Sequence, residues 1–188
     1  MQTLVTFLRG VNMAGHNKMK MTDLAGLFKD KGFRDPETFI QSGNVIFKDS
    51  EGRSVNEITT LIESSILEQF GLDVPALVRS IPDLKKIISA NPFLSVPHFD
   101  PARMAVMFLY EEPSEKGLEK MKDVDYPPDK FSINGREIYI WCPNGFGRTK
   151  LYTNFFEGRM KVIGTARNWN TVNTILELAQ MKNSDKTA

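Results

Sequence analysis

Between residues 3 and 78 the hydrophobic pattern switches repeatedly between strand and helix periods, and the order of the switches narrows the folds open to the chain. TLVTFL (3–8) is rich in β-branched and aromatic residues and predicts a strand. A polar, glycine-containing loop follows. Leu24, Leu27 and Phe28 then recur at helical spacing, with Thr22 as the expected N-cap and Gly32 as the stop. ETFIQSGNVIF (37–47) predicts two short strands about a turn at Ser42 and Gly43. Val55, Ile58, Leu61, Ile62, Ile66 and Phe70 mark a long amphipathic helix ended by Gly71. VPALV (74–78) is a further strand, and Pro75, which has no N–H to give to an inner ladder, puts it at a sheet edge. The order is β-α-β-β-α-β, the ferredoxin-like or split β-α-β pattern.

The pattern then starts again. SIPDLKKIISA (80–90) predicts a helix capped by Ser80, and NPFLSVPHFDP (91–101), with three prolines, an extended connection. RMAVMFLY (103–110) is a strand and SEKGLEKM (114–121) a helix; KFSINGREIYIW (130–141) is a hairpin turning at Asn134–Gly135. TKLYTNFF (149–156) reads as a helix, and Trp169, Val172, Ile175, Leu176 and Ala179 mark a last amphipathic helix with Asn168 or Asn170 at its cap. The expected fold class is therefore α+β: two ferredoxin-like halves in tandem with an added C-terminal helix, the second half having a helix where a fourth strand would stand. The expected boundaries are a first half at 1–80, a helix and proline-rich connector at 81–102, a second half at 103–182 and a frayed tail at 183–188. No residue-level repeat is visible between the halves.

Composition excludes several classes. A net charge of +1 over 188 residues argues against an electrostatic nucleic-acid binder as a whole, so any basic surface is local. Cys142 is the only cysteine, which excludes an intramolecular disulfide and a thiolate-rich metal site and fits a reducing cytoplasm. Two histidines argue against a metal centre. LVTFL before Arg9 is too short for a signal h-region, and AVMFLY (105–110) cannot span a bilayer. The expectation is a cytoplasmic protein with no metal, no cofactor and no membrane partner; its oligomeric state is not readable.

Three stretches, LRGVNMAGHNKMKMTDL, FIQSGNVIF and GTARNWNTV, together with ANPF (90–93) and GRTKL (147–151), resemble the domain-of-unknown-function 1697 family of uncharacterised bacterial proteins. The resemblance runs from about residue 2 to about residue 181. It implies a two-part α+β protein and brings no catalytic residues. Its fingerprint falls on Arg9, Gly10, Asn12, Gly15, Asn17, Lys18, Gln41, Ser42, Gly43, Asn44, Lys150, Thr165, Arg167, Asn168 and Trp169. Thr149 stands where the family usually has serine.

The loop RGVNMAGHNKMK (9–20) joins a strand to a helix start, where unpaired N–H groups and the helix dipole favour an anion. Arg9 and Lys18 add charge, and the glycines allow close backbone approach; the P-loop spacing is absent. The plainer reading is that Gly10 and Gly15 permit a tight loop while Asn12 and Asn17 bond their own backbone. QSGN (41–44) reads first as a turn, expected at the opposite end of the sheet from that loop. Residues 144–169 carry five cations against the single Glu157, interleaved with aromatics, the composition of a nucleotide or nucleic-acid surface, although Phe155, Phe156 and Trp169 read better as core. Arg167 precedes a helix start and is expected to be open to an anion. Cys142 beside Trp141 reads as an inert buried thiol. Asp123 and Asp125 read as solvated acids.

The candidate ligand-binding residues are Arg9, Asn12, Gly15, His16, Asn17, Lys18, Asn44, Arg148, Lys150, Arg167 and Asn168. The leading expectation is a binding protein for a phosphate-bearing small molecule or nucleotide, held at the loop after the first strand. Two alternatives stand beside it: RNA or single-stranded DNA binding, not favoured, with bases stacked on Phe7 and Phe47, and an enzyme acting on a phosphorylated substrate.

Overall fold

The computed structural model describes residues 1–13 and 15–184. By its contacts the chain forms two compact units, Met1–Lys86 together with the segment from Thr174 onward, and Ile87–Asn173. In the first unit β1 (Gln2–Leu8), α1 (Met21–Asp30), β2 (Arg34–Phe39), β3 (Asn44–Asp49), α2 (Val55–Phe70) and β4 (Ala76–Ser80) follow in order. Their antiparallel sheet runs β2-β3-β1-β4, so the strand that follows Pro75 lies at an edge.

Local chemistry sets the boundaries. Ser54 and Glu57 form a reciprocal capping box at the start of α2, and Gly71 closes it in the left-handed region at φ 66°. The expected cap at Thr22 is displaced: α1 begins at Met21 with Lys20 in the cap position and no side-chain cap bond. Leu4, Leu8, Val45 and Phe47 of the sheet meet Leu24, Phe28, Ile58, Ile62 and Ile66 of the two helices in one apolar cluster. Beside it the fully buried Asp49 is held by Arg53, whose Nε lies 2.8 Å from Oδ1 and whose backbone N–H donates to Oδ2 at 3.0 Å.

The chain leaves the first unit within α3 (Ile81–Ser89), started by Ser80 and Asp83 in a second reciprocal pair. In the second unit β5 (Met104–Leu109), α4 (Glu115–Glu119), β6 (Lys130–Asn134), β7 (Glu137–Trp141), α5 (Thr153–Met160) and β8 (Gly164–Asn168) form a sheet ordered β6-β7-β5-β8. Its core gathers Met107, Leu109, Ile138 and Ile140 against Met121, Phe156 and Met160. Residues 87–102, expected as part of a connector, belong to this unit: the Tyr139 hydroxyl donates to Ile87 O at 2.7 Å, and Phe93 stacks on Trp141 at 6.3 Å.

β8 corrects the expected absence of a fourth strand, and the helix expected at 149–156 begins only at Thr153. With β8 in place the two units match in register. Arg79 lies opposite Val5 in one and Arg167 opposite Val106 in the other. Leu8 N donates to Gly43 O, and Leu109 N to Arg136 O, both at 2.8 Å. Arg9 N donates to Pro75 O at 2.9 Å, and Tyr110 N to Ile163 O at 2.8 Å. α6 (Trp169–Ser184) starts in the second unit, and from Thr174 onward it belongs to the first. There Lys182 pairs with Glu37 at 3.1 Å and Thr3 Oγ1 donates to Asn183 Oδ1 at 3.2 Å. Of the tail expected at 183–188, Asn183 and Ser184 are helical, and 185–188 lie outside the described residues. Among the described residues no helix is long and apolar enough to cross a membrane.

Candidate functional site

The loop after β1 and the QSGN turn meet at one end of the first sheet, not at opposite ends. β1 and β2 are both antiparallel to β3 and hence parallel to each other, so their C-terminal ends coincide. Asn12 stitches loop and turn together. Its Nδ2 donates to Met19 O at 2.8 Å and to Gln41 O at 3.0 Å, its Oδ1 accepts from Met19 N at 2.9 Å, and its backbone N–H donates to Asn17 O at 3.2 Å. Asn12 and Asn17 both hold positive φ, 54° and 44°, where asparagine is among the better-tolerated residues. Asn44 is fully buried and donates to Phe39 O and Ser42 Oγ, each at 3.0 Å. Gly43 has no substitute, because a Cβ there would lie 2.8 Å from that of Leu8.

The side chains of Asn12 and Asn44 are therefore spent on this end's own loop and turn, the plainer of the two readings. Arg9 is half-buried; Gly15, His16 and Lys18 are exposed. Phe7 and Phe47 are fully buried, which removes the platform on which the nucleic-acid reading relied.

A different set converges in the second unit. An open cleft of about 1060 Å³ lies where β5 and β6 begin and β7 ends. Arg103, Arg148 and Lys150 line it, with Asp125 and Asp129, a ledge of Tyr126, Pro127 and Pro128, and the turn from Pro143 to Thr149. The turn is built around Gly145. Its φ of 85° suits glycine, and the Arg103 guanidinium occupies the space a Cβ would need. Backbone bonds from Cys142 N to Arg103 O at 2.9 Å and from Gly145 N to Cys142 O at 2.8 Å fix the turn to the start of β5. Arg103 is also within 3.5 Å of Asp100. The Lys150 ammonium stands 5.1 Å from the centroid of Tyr126, whose ring meets Phe155 edge-on at 5.7 Å.

Beneath the cleft Cys142 is fully buried. Burial pushes its thiol up, and a hydrogen bond with Thr149 offsets this only in part, so it is poorly suited to act as a nucleophile. Thr149 is itself buried and accepts from Leu151 N at 3.0 Å.

Of the expected site residues, Arg148 and Lys150 share this cleft, and Arg9, Asn12, Gly15, His16, Asn17, Lys18 and Asn44 belong to the first unit's loop and turn. Arg167 and Asn168 join neither set. Arg167, expected to be open to an anion, is only 8% exposed within β8 and donates to Thr165 Oγ1 at 2.7 Å and to Ala166 O at 2.9 Å. Burial pulls its guanidinium down to about 10, so it stays charged at neutral pH. Asn168 caps α6 by accepting from Asn170 N at 2.9 Å and donates to Ala102 O at 3.3 Å. Arg103 and Asp129, which no motif singles out, also line the cleft. Asp125, expected as a solvated acid, is exposed and also lines the cleft. The signal that was present was GFGRTK, a glycine turn between cations.

Two four-stranded antiparallel sheets, each with helices, and a cation-lined cleft at the end of one of them define a tandem α+β protein. The chain belongs to the family described as "Protein of unknown function (DUF1697)", whose model matches residues 1–139. A solved structure described as that of the conserved bacterial protein SP0830 from Streptococcus pneumoniae is similar over 95% of this chain and 98% of its own, at 18% identity and a TM-score of 0.71, a likeness of fold. No curated protein matches the chain.

Proposed function

We propose that the protein binds a small phosphate-bearing molecule and that the cleft of the second unit is the site. One observation carries this reading: Arg103 and, far from it in sequence, Arg148 and Lys150 line one cavity beside a glycine turn. Arginine offers a planar donor fork and lysine a mobile point charge, the usual pair for phosphate oxygens. The loop after β1 is the weaker candidate because the Asn12 side chain is already bonded to the backbone of Met19 and Gln41. The single buried cysteine favours a reducing, cytoplasmic setting. Each unit is read as a ferredoxin-like split β-α-β module, supported by the orders β2-β3-β1-β4 and β6-β7-β5-β8. The matched registers of Arg79 and Arg167 support descent of the two from one duplicated unit.

The test is thermal unfolding in increasing inorganic phosphate at constant ionic strength. The wild type gains melting temperature by mass action, and the Arg148→Ala/Lys150→Ala double variant does not. Equal gains in both proteins would remove the cleft as the site. Loss of the gain in Arg9→Ala/Lys18→Ala instead would return the site to the first loop.

A further inference from the structure

Resting on the cleft as a phosphate site, we infer that its ligand is a sugar phosphate, a phosphorylated polyol with no stacked base. The first observation is size. A cavity of about 1060 Å³ matches the upper range of pockets that enclose drug-sized molecules, far more room than a bare anion fills.

The second is the mixture of charge. Asp125 and Asp129 line the same cavity as the three cations. Carboxylates repel phosphate, so a ligand that fits this wall turns hydrogen-bond donors toward them. Hydroxyl groups do so with short, charge-assisted O–H···O⁻ bonds. A ligand with its anionic group at one end and hydroxyls along its length meets both demands.

The third is the state of the aromatic ring. Tyr126 is the aromatic side chain of the cleft wall; the Lys150 ammonium lies over its face at 5.1 Å and Phe155 meets it edge-on at 5.7 Å. A base would have to displace that cation to stack on the face it covers. Pro127 and Pro128 offer C–H ledges, which suit the C–H faces of a sugar ring.

Calorimetric titration with inorganic phosphate, ribose 5-phosphate, ribose and adenosine 5′-monophosphate tests this. Ribose 5-phosphate binds about tenfold tighter than phosphate, the worth of one hydrogen bond to a charged group, and free ribose shows no binding. Adenosine monophosphate is no tighter than ribose 5-phosphate. In Asp125→Asn, an exposed position that the fold tolerates, the ratio of ribose 5-phosphate to phosphate affinity falls to about threefold or less, since a neutral acceptor holds a hydroxyl more weakly. Equal affinity for phosphate and ribose 5-phosphate in the wild type overturns the sugar-phosphate inference and leaves the phosphate site standing. Adenosine monophosphate binding tenfold tighter than ribose 5-phosphate overturns it in favour of a nucleotide. An unchanged ratio in Asp125→Asn overturns the role given to the carboxylates. No binding of phosphate or of either phosphate ester overturns both readings.

Discussion

Tyr139 shows how much one buried polar atom depends on its surroundings. The side chain is 1% exposed, its hydroxyl donates to Ile87 O at 2.7 Å, and burial, with a smaller push from the Glu137 charge, raises its pKa from the ordinary 10.0 to about 12. Below pH 10 both the folded and unfolded chains keep the phenol proton, so the stabilisation is complete there. Between 10 and 12 the unfolded chain ionises first and stability falls with rising pH. Tyr139→Phe should remove an absorbance step near pH 12 in the tyrosinate band. It should cost about 1 kcal/mol at neutral pH for the lost hydrogen bond, read from urea midpoints. Arg167 carries a different lesson. In Gly164-Thr165-Ala166-Arg167-Asn168 nothing alternates as an amphipathic strand does, so the sequence reads as a basic loop before a helix. It forms a strand because β5 offers an open edge and because Gly164 lets the chain pass close: a Cβ there would fall 2.7 Å from Phe108 O. Arg167→Ala should therefore destabilise by about 1–3 kcal/mol, where an exposed loop arginine would cost less than about 1.

At the scale of elements, most strands and helices are legible because each carries its own period and its own stop. The hairpins at 34–49 and 130–141 announce their turns with Ser-Gly and Asn-Gly. What is not legible is which loops share an end of the sheet. That depends on β1 and β2 running parallel through a crossover, a relation between elements rather than within one. The cleft escapes for the same reason. Its lining comes from residue 103, residues 125–129 and residues 143–150, gathered only because β5, β6 and β7 meet there. Asn12 makes the element-level argument testable. Asn12→Ala removes three side-chain hydrogen bonds and places alanine at φ 54°, so it should cost about 2–4 kcal/mol in urea unfolding. Asn12→Gly keeps the backbone freedom and should cost about 1 kcal/mol less. If both asparagine and cleft are as described, either variant keeps its gain in melting temperature from phosphate.

On the scale of the whole molecule, the first unit is built from two separated pieces of chain, Met1–Lys86 and the segment from Thr174 onward, while the second is continuous. Ile175 and Ala179 are fully buried, and Lys182 and Asn183 bind Glu37 and Thr3. A chain ending at residue 173 should lose about 3–5 kcal/mol from the first unit. Hydrogen exchange should then quicken at β1 and β2 and stay slow at β7; equal quickening in both sheets would contradict the division. The order of synthesis gives the divided unit a further consequence. The ribosome delivers the β-α-β-β-α-β run of the first unit early and its last helical turns only after the second unit. The second unit, made in between, has all its parts as soon as residue 173 emerges. The unit born first is thus completed last, and until then β1 and β2 lack the contacts that Asn183 and Lys182 make with Thr3 and Glu37.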